Sequence, residues 1–255
     1  MGAIDLNADL GESVDGVPTA DDDAMFAVIS SASIACGGHA GDAVSMRESV
    51  ARARECGVAM GAHPSYPDRP NFGRAAVVMD APDLRASVAQ QLAALLEAGA
   101  DLQYVKPHGA LYHAVIGDAE HARALAAAVA DASDRIGRPL PVLGMPGHIA
   151  RAAADAGSPF VLEAFLDRGY QGDGMLVPRT QPGALLHDAD EVAVRAVRLV
   201  REGVVETVTG GVVGVDAASL CLHGDTPEAV EMARAVRAAL VDAGIAVRAP
   251  WSDVT

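Results

Sequence analysis

The stretch YVKPHGALYH, Tyr104 to His113, delivers a lysine, a proline and a histidine where an apolar run stops. Packing alone explains none of these types, because a buried ammonium without a partner is costly and an unpaired imidazole only somewhat less so. Similar clusters follow other apolar runs: Asn7, Asp9, Gly11 and Glu12 in NADLGE, His39 in CGGHAGD, and His63 in GAHPSYPD with Arg74 in FGR soon after. Asp167 and Arg168 stand in EAFLDRGY, and His223 and Asp225 in CLHGD. Carboxylates and imidazoles supply proton transfer. One carboxylate with two imidazoles also suits a divalent metal with open positions. Lysine and arginine supply charge-assisted bonds to anions, and arginine can make them in pairs.

Each cluster also has a plain structural explanation. A histidine beside glycine is often a turn residue bonded to backbone, since buried polar groups usually find local partners. His39, His63, His108 and His223, all at matching places, weaken that explanation jointly. CGGHAGD either supplies positive φ for a strand-to-helix turn or lets backbone come close to an anionic ligand. Lys106 is either a ligand cation or half of a rim salt bridge to Glu163, Asp167 or Asp225. His113, His121, His148 and His187 lack a matching context and read as surface residues.

The elements that position these residues alternate short β-branched runs with stretches of helical period, the pattern of a parallel α/β sheet. Seven strands are predicted: AIDLNA near residue 3, SSASIAC near 30, VAMGA near 58, LQYVKP near 102, LPVLGM near 140, FVLEAF near 160 and ASLCLHG near 218. DAVSMRESVARARECG has Asp42 as N-cap, Ala43, Met46, Val50 and Ala53 as an apolar stripe, and Gly57 as a stop. DLRASVAQQLAALLEAG has Asp83 as cap and Gly99 closing; TPEAVEMARAVRAALVDAG has Thr226 as cap, Pro227 at the first helical position and Gly244 beyond the end. In parallel α/β folds the carboxyl ends of the strands form one rim around a shared cavity. The polar clusters therefore meet in one pocket, with Pro107 and Gly109 shaping the turn that presents Lys106 and His108. On such a rim, Lys106→Met keeps most of the apolar stem and is expected to change stability little.

At 255 residues the chain fits one domain spanning 1–255. Its net charge of −15 opposes a phosphate backbone or an anionic membrane, so neither nucleic acid nor membrane is an expected partner. No secretory leader and no run long enough to cross a bilayer is visible. Cys36, Cys56 and Cys221 are odd in number and widely spaced, which points to reduced thiols in a cytoplasm.

The ordered set IDLNADLGE, IACGGHAGD, GAHPSYPD with FGR, YVKPHGALY, EAFLDRGY with DGMLVPR, and CLHGD resembles the LamB/YcsF family, the A subunits of bacterial ATP-dependent 5-oxoprolinase. The resemblance runs from Ile4 to about the final helix. It implies a seven-stranded parallel (β/α) barrel of glycoside hydrolase/deacetylase type, working with the B and C subunits of 5-oxoprolinase to open 5-oxo-L-proline to L-glutamate at the expense of ATP, with magnesium. Phosphorylation of the lactam oxygen makes the ring carbon more electrophilic, and water then attacks. Under that scheme the catalytic candidates are Asp9, Glu12, Lys106, His108 and Asp225. Asn7, His39, Arg74, Arg168, Arg179 and His223 are candidates for binding substrate or ATP. The sequence departs from the family pattern at Ser33, where Asn is usual, Gly38, where an aromatic is usual, Ala43, where Pro is common, and Ala75, where a second Arg often follows Arg74. Gly38 is expected to enlarge the pocket or loosen its loop.

A weaker resemblance, to YdjC-type deacetylases, implies a divalent metal held by Asp9, His63 and His108, with His39 the nearest alternative ligand. The corresponding activity is metal-dependent hydrolysis of an amide or acetylated carbohydrate without ATP. A non-catalytic carboxylate-binding barrel is the remaining alternative.

Overall fold

The first strand, Ala3–Leu10, alternates Asp5, Asn7 and Asp9 with Ile4, Leu6, Ala8 and Leu10. Successive side chains of a strand face opposite ways, so the apolar set packs outward under the helices and the polar set lines the interior. The computed structural model describes residues 2–224 and 228–251, and in it this strand pairs in parallel with two neighbours. The six other predicted strands form as Ser31–Ala35, Ala59–His63, Leu102–Val105, Val142–Gly144, Phe160–Phe165 and Ser219–Leu222. They pair in sequence order, and the last returns to the first, which closes a seven-stranded parallel barrel. A short strand, Ala246–Val247, adds to the free lower end of the first.

The interior is polar along one line and sealed by aromatics below. Asp5 accepts from Ser30, Ser31 and Ser219, while Asn7 donates to Ser219 Oγ at 2.8 Å. Tyr104 fills the space over Gly61, where an added Cβ would meet its ring at 2.2 Å. Trp251 stacks on Tyr104 with 4.2 Å between centroids and donates to Ser31 Oγ at 2.8 Å. Closing water out below leaves the upper rim as the open end.

Helices cover the outer face. Ala43–Cys56 starts at Asp42, whose carboxylate accepts from Val44 and Ser45, and ends at Gly57 with φ +68. Its buried stripe keeps the predicted Met46, Val50 and Ala53 and adds Ser49, while Ala43, in the first turn, is exposed. The helix Ala81–Glu97 is capped by Asp80 rather than Asp83, because Pro82 suits the first turn and Asp80 accepts from the Asp83 amide. Gly109–Gly117 and Ala119–Ile136 follow the fourth strand, and Ala189–Glu202 precedes the seventh. The last helix is described over Ala229–Asp242; the predicted Thr226 cap and Pro227 lie outside the described residues. A hairpin of Val204–Glu206 with Val212–Gly214 had no clear signal in the sequence. No helix among the described residues is long and apolar enough to cross a membrane.

Candidate active site

Lys106 follows the fourth strand, but its side chain runs into the barrel and is 1 % exposed. Its ammonium lies 2.9 Å from Asp9 Oδ1, 3.0 Å from Asn7 Oδ1, 3.1 Å from Cys221 Sγ and 3.3 Å from Glu163 Oε2. Three protons thus face four acceptors of this chain. Burial would lower the Lys106 pKa, but Asp9, Cys221 and Glu163 outweigh it and hold it well above the usual lysine range. Burial would likewise raise Asp9, and His63 with Lys106 holds it well below the usual carboxylate range. The expectation that Lys106 exchanges for Met at little cost in stability is therefore corrected: the ammonium compensates two buried carboxylates.

Next to this pair, backbone carbonyls fix two imidazoles. His63 Nδ1 is 2.7 Å from the Lys106 carbonyl, and His108 Nε2 is 3.0 Å from the Phe72 carbonyl. A carbonyl can only accept, so each of those nitrogens carries the hydrogen. In the neutral rings, His63 Nε2 and His108 Nδ1 are then bare acceptors facing each other at 3.0 Å. Asp9 Oδ2 stands 3.3 Å from the first and Glu12 Oε1 3.6 Å from the second. Acceptors converging in this way repel unless a cation, a proton or a metal, lies among them. His39 stacks on His108 at 3.7 Å and places Nε2 3.0 Å from Glu12 Oε1. Burial, then the neighbouring imidazoles, push His39 and His108 well below the usual histidine pKa.

The donor set Glu12, His39, His63 and His108, whose ligand atoms lie within 4.8 Å of one another, suits a divalent metal. Carbonyls that hold the far nitrogens of two rings are the outer support such a centre needs. It shares His63 and His108 with the predicted set, includes His39, the expected alternative ligand, and adds the Glu12 carboxylate. Asp9 commits Oδ1 to Lys106, while its Oδ2 stays 3.3 Å from His63 Nε2.

A cavity of ≈540 Å3 opens on the rim, with Asp9, His63, Lys106, His108 and His223 on its wall. Gly109 makes the turn directly after His108: its φ is +55, and a Cβ there would meet the Gly73 carbonyl oxygen at 2.5 Å. Arg74, Arg168 and Arg179 also line the cavity. Arg74 lies over the Phe72 ring at 5.0 Å. Arg168 is largely committed, donating from Nε to the Ala184 carbonyl and from Nη2 to that of Val177, so it holds the loop after the sixth strand. Asn7 is interior, below the cavity, while Glu12 and His39 sit outside its lining. Asp225 lies outside the described residues.

Other side chains stand apart from their sequence reading. His113 is exposed, as expected, though it also borders the cavity, whereas His121 is half-buried and bonds Tyr66 and the Met79 carbonyl, so it is not a plain surface histidine. Gly38 does not enlarge the pocket, since a Cβ there would meet Gln91 Oε1 at 2.4 Å and Ser65 Oγ at 2.5 Å. Asp167, which the sequence offers only as a partner for Lys106, pairs with His223 at 2.8 Å instead.

Comparison with known proteins bears on this arrangement. The sequence model of the LamB/YcsF family matches residues 4–255. The chain belongs to the LamB/YcsF family. Among its relatives, the 5-oxoprolinase A subunit of Paracidovorax citrulli is 49 % identical over 251 residues, covering 96 % of this chain and 98 % of the relative. Its counterpart of the same name in Streptomyces coelicolor is 48 % identical, with 96 % and 99 % covered. The crystal structure of a lactam utilization protein from Thermus thermophilus superposes with a TM-score of 0.89 at 44 % identity, covering 97 % of this chain and 99 % of that one. The family's barrel is thus the fold of this chain.

Proposed function

We propose that this LamB/YcsF chain, a single barrel domain, is the lactam-handling component of a cytoplasmic ATP-dependent 5-oxoprolinase that converts 5-oxo-L-proline to L-glutamate with the B and C subunits as partners. The observation that carries the reading is the wall formed by Asp9, His63, Lys106 and His108, which joins a charge-compensated carboxylate to paired imidazoles inside one cavity. The relatives' names point to the same reaction.

Lys106 keeps Asp9 ionised, and Asp9 with His63 forms the proton-accepting side of the site. Water held there loses a proton as its oxygen meets the lactam carbon, a general-base step that contributes about 10²–10⁴-fold. Arg74 and Arg179 supply cations for the substrate carboxylate and the phosphates of ATP with its magnesium. The saturated ammonium of Lys106 acts through Asp9 rather than as a phosphate ligand. Co-purification from the native cell, followed by ADP release with and without 5-oxoproline, tests the reading: the isolated chain should be nearly silent and the three-subunit complex active. Full activity of the single chain overturns the division of labour.

The cluster Glu12, His39, His63 and His108 favours a second reading, metal-dependent hydrolysis of an amide or N-acetyl sugar without ATP. A metal bound there would polarise a carbonyl and sharpen a water nucleophile. Turnover of an N-acetyl sugar by the chain alone would decide for it.

A further inference from the structure

His223 and Asp167 form a second polar centre on the same cavity. The sixth and seventh strands pair Phe165 with Cys221, and both residues follow two positions later. Asp167 is 3 % exposed; its two oxygens lie 2.8 and 3.1 Å from His223 Nδ1, and it accepts the His223 backbone N–H at 3.2 Å. A carboxylate at that distance fixes the hydrogen on Nδ1. The ring is further held by stacking on Phe165, 5.3 Å between centroids and 19° between planes. Nε2 has no bonding partner among the described residues, and the ring lies on the wall shared with Asp9 and Lys106. One nitrogen is immobilised and the other, among the described residues, is left for a ligand.

The lactam chemistry proposed above, on which this inference rests, needs a proton in a second place. ATP transfers its terminal phosphoryl group to the lactam oxygen and leaves as ADP. Water adds to the ring carbon and gives up one proton to the Asp9 side, so the carbon carries hydroxyl, phosphate ester and nitrogen. Two bonds of that carbon compete. If carbon–nitrogen breaks, its electron pair goes to nitrogen, which takes a proton, while the hydroxyl loses its own; the resulting acyl phosphate then hydrolyses to glutamate and phosphate. If the carbon–oxygen bond to phosphate breaks, phosphate departs and the lactam re-forms with the oxygen of water. That route consumes ATP and makes no glutamate. Phosphate leaves more readily than an unprotonated nitrogen, so a positioned acid decides the outcome.

We propose that His223, held by Asp167, protonates the lactam nitrogen from Nε2 and so couples ATP cleavage to ring opening. His223 recovers its proton from solvent. Asp167 is the positioning residue, keeping the ring in one tautomer and one orientation.

The test uses the assembled three-subunit complex in water enriched in oxygen-18, comparing the native chain with His223→Gln and Asp167→Asn. ADP, glutamate and the isotope content of recovered 5-oxoproline are measured together. Loss of an acid worth about 10²–10⁴-fold should raise ADP per glutamate roughly tenfold or more in His223→Gln, with oxygen-18 entering recovered 5-oxoproline. Asp167→Asn should move both readouts the same way by less. The ratio does not depend on how much of a variant folds. An unchanged ratio without isotope entry overturns the proposal, as does parallel loss of ADP and glutamate without exchange, which places His223 before the branch. If the native complex shows no 5-oxoproline-dependent ADP release, the functional reading itself fails and this inference fails with it.

Discussion

Lys106 Nζ lies 2.9 Å from Asp9 Oδ1 across 97 positions of the chain, and the pair joins two strands that are not neighbours in the barrel. Asp9 extends from the first strand and Lys106 follows the fourth, so only closure of the sheet brings them together. The pair ties the fold to the site: it bridges the interior and sets the charge of the carboxylate that faces the cavity.

Lys106→Met should therefore lower stability as well as activity. Removing one partner from a buried ion pair costs about 3–5 kcal/mol, which for a chain of this size corresponds to a fall in Tm of roughly 6 °C or more. Adding Asp9→Asn should recover part of that loss without restoring turnover. Thermal unfolding of the single and double variants checks this; a single variant that melts like the native chain would show that the barrel relaxes around the missing cation.

A second carboxylate gives a prediction of opposite sign. Burial pushes the Asp5 carboxyl up to about 6, against bonds from Ser219, Ser30 and Ser31 that pull it down. A folded-state value above the unfolded one contributes stability present at low pH and lost as pH rises through about 6. The shift corresponds to about 3 kcal/mol at most. Asp5→Asn cannot ionise, so its stability relative to the native chain should improve between pH 4 and pH 8, about 2 units either side of the midpoint. Urea midpoints at the two pH values measure the change, and a pH-independent difference would contradict it.

Metal binding is predicted at the imidazole cluster rather than around Asp9. Titration of the chelator-treated chain with zinc should show one site, and Glu12→Gln or His108→Ala should each weaken it about tenfold or more, as loss of a ligand or its support does in metal centres. Anomalous scattering should place the ion between Glu12 and the three rings. An ion found elsewhere, or none at all, would leave a shared proton as the cation among those acceptors.

The barrel was legible because apolar runs of strand length recur with helix punctuation between them, and the polar rim because each cluster begins where such a run ends. Contacts across the barrel were not legible: the partners of Lys106 depend on which strands face one another, which no local pattern encodes. Glu12 and His39 stood out singly, but their contact was hidden because both lie in irregular turns after different strands. The Asp167 and His223 pair left a usable signal, equal offsets beyond two strands that proved adjacent, but it required knowing that they pair. Gly38 shows the reverse failure, since a missing side chain reads as open space until Gln91 is seen to occupy it.

Glutamate and ADP formed from 5-oxoproline and ATP by this chain combined with its two partner subunits, measured beside the same mixture lacking it, give the most direct test of the lactam site. The expected result is 5-oxoproline-dependent release of both products only when this chain is present, and their loss in Asp9→Asn while the complex still assembles. Undiminished release without this chain, or with Asp9→Asn, would contradict the assignment of the lactam site to this barrel.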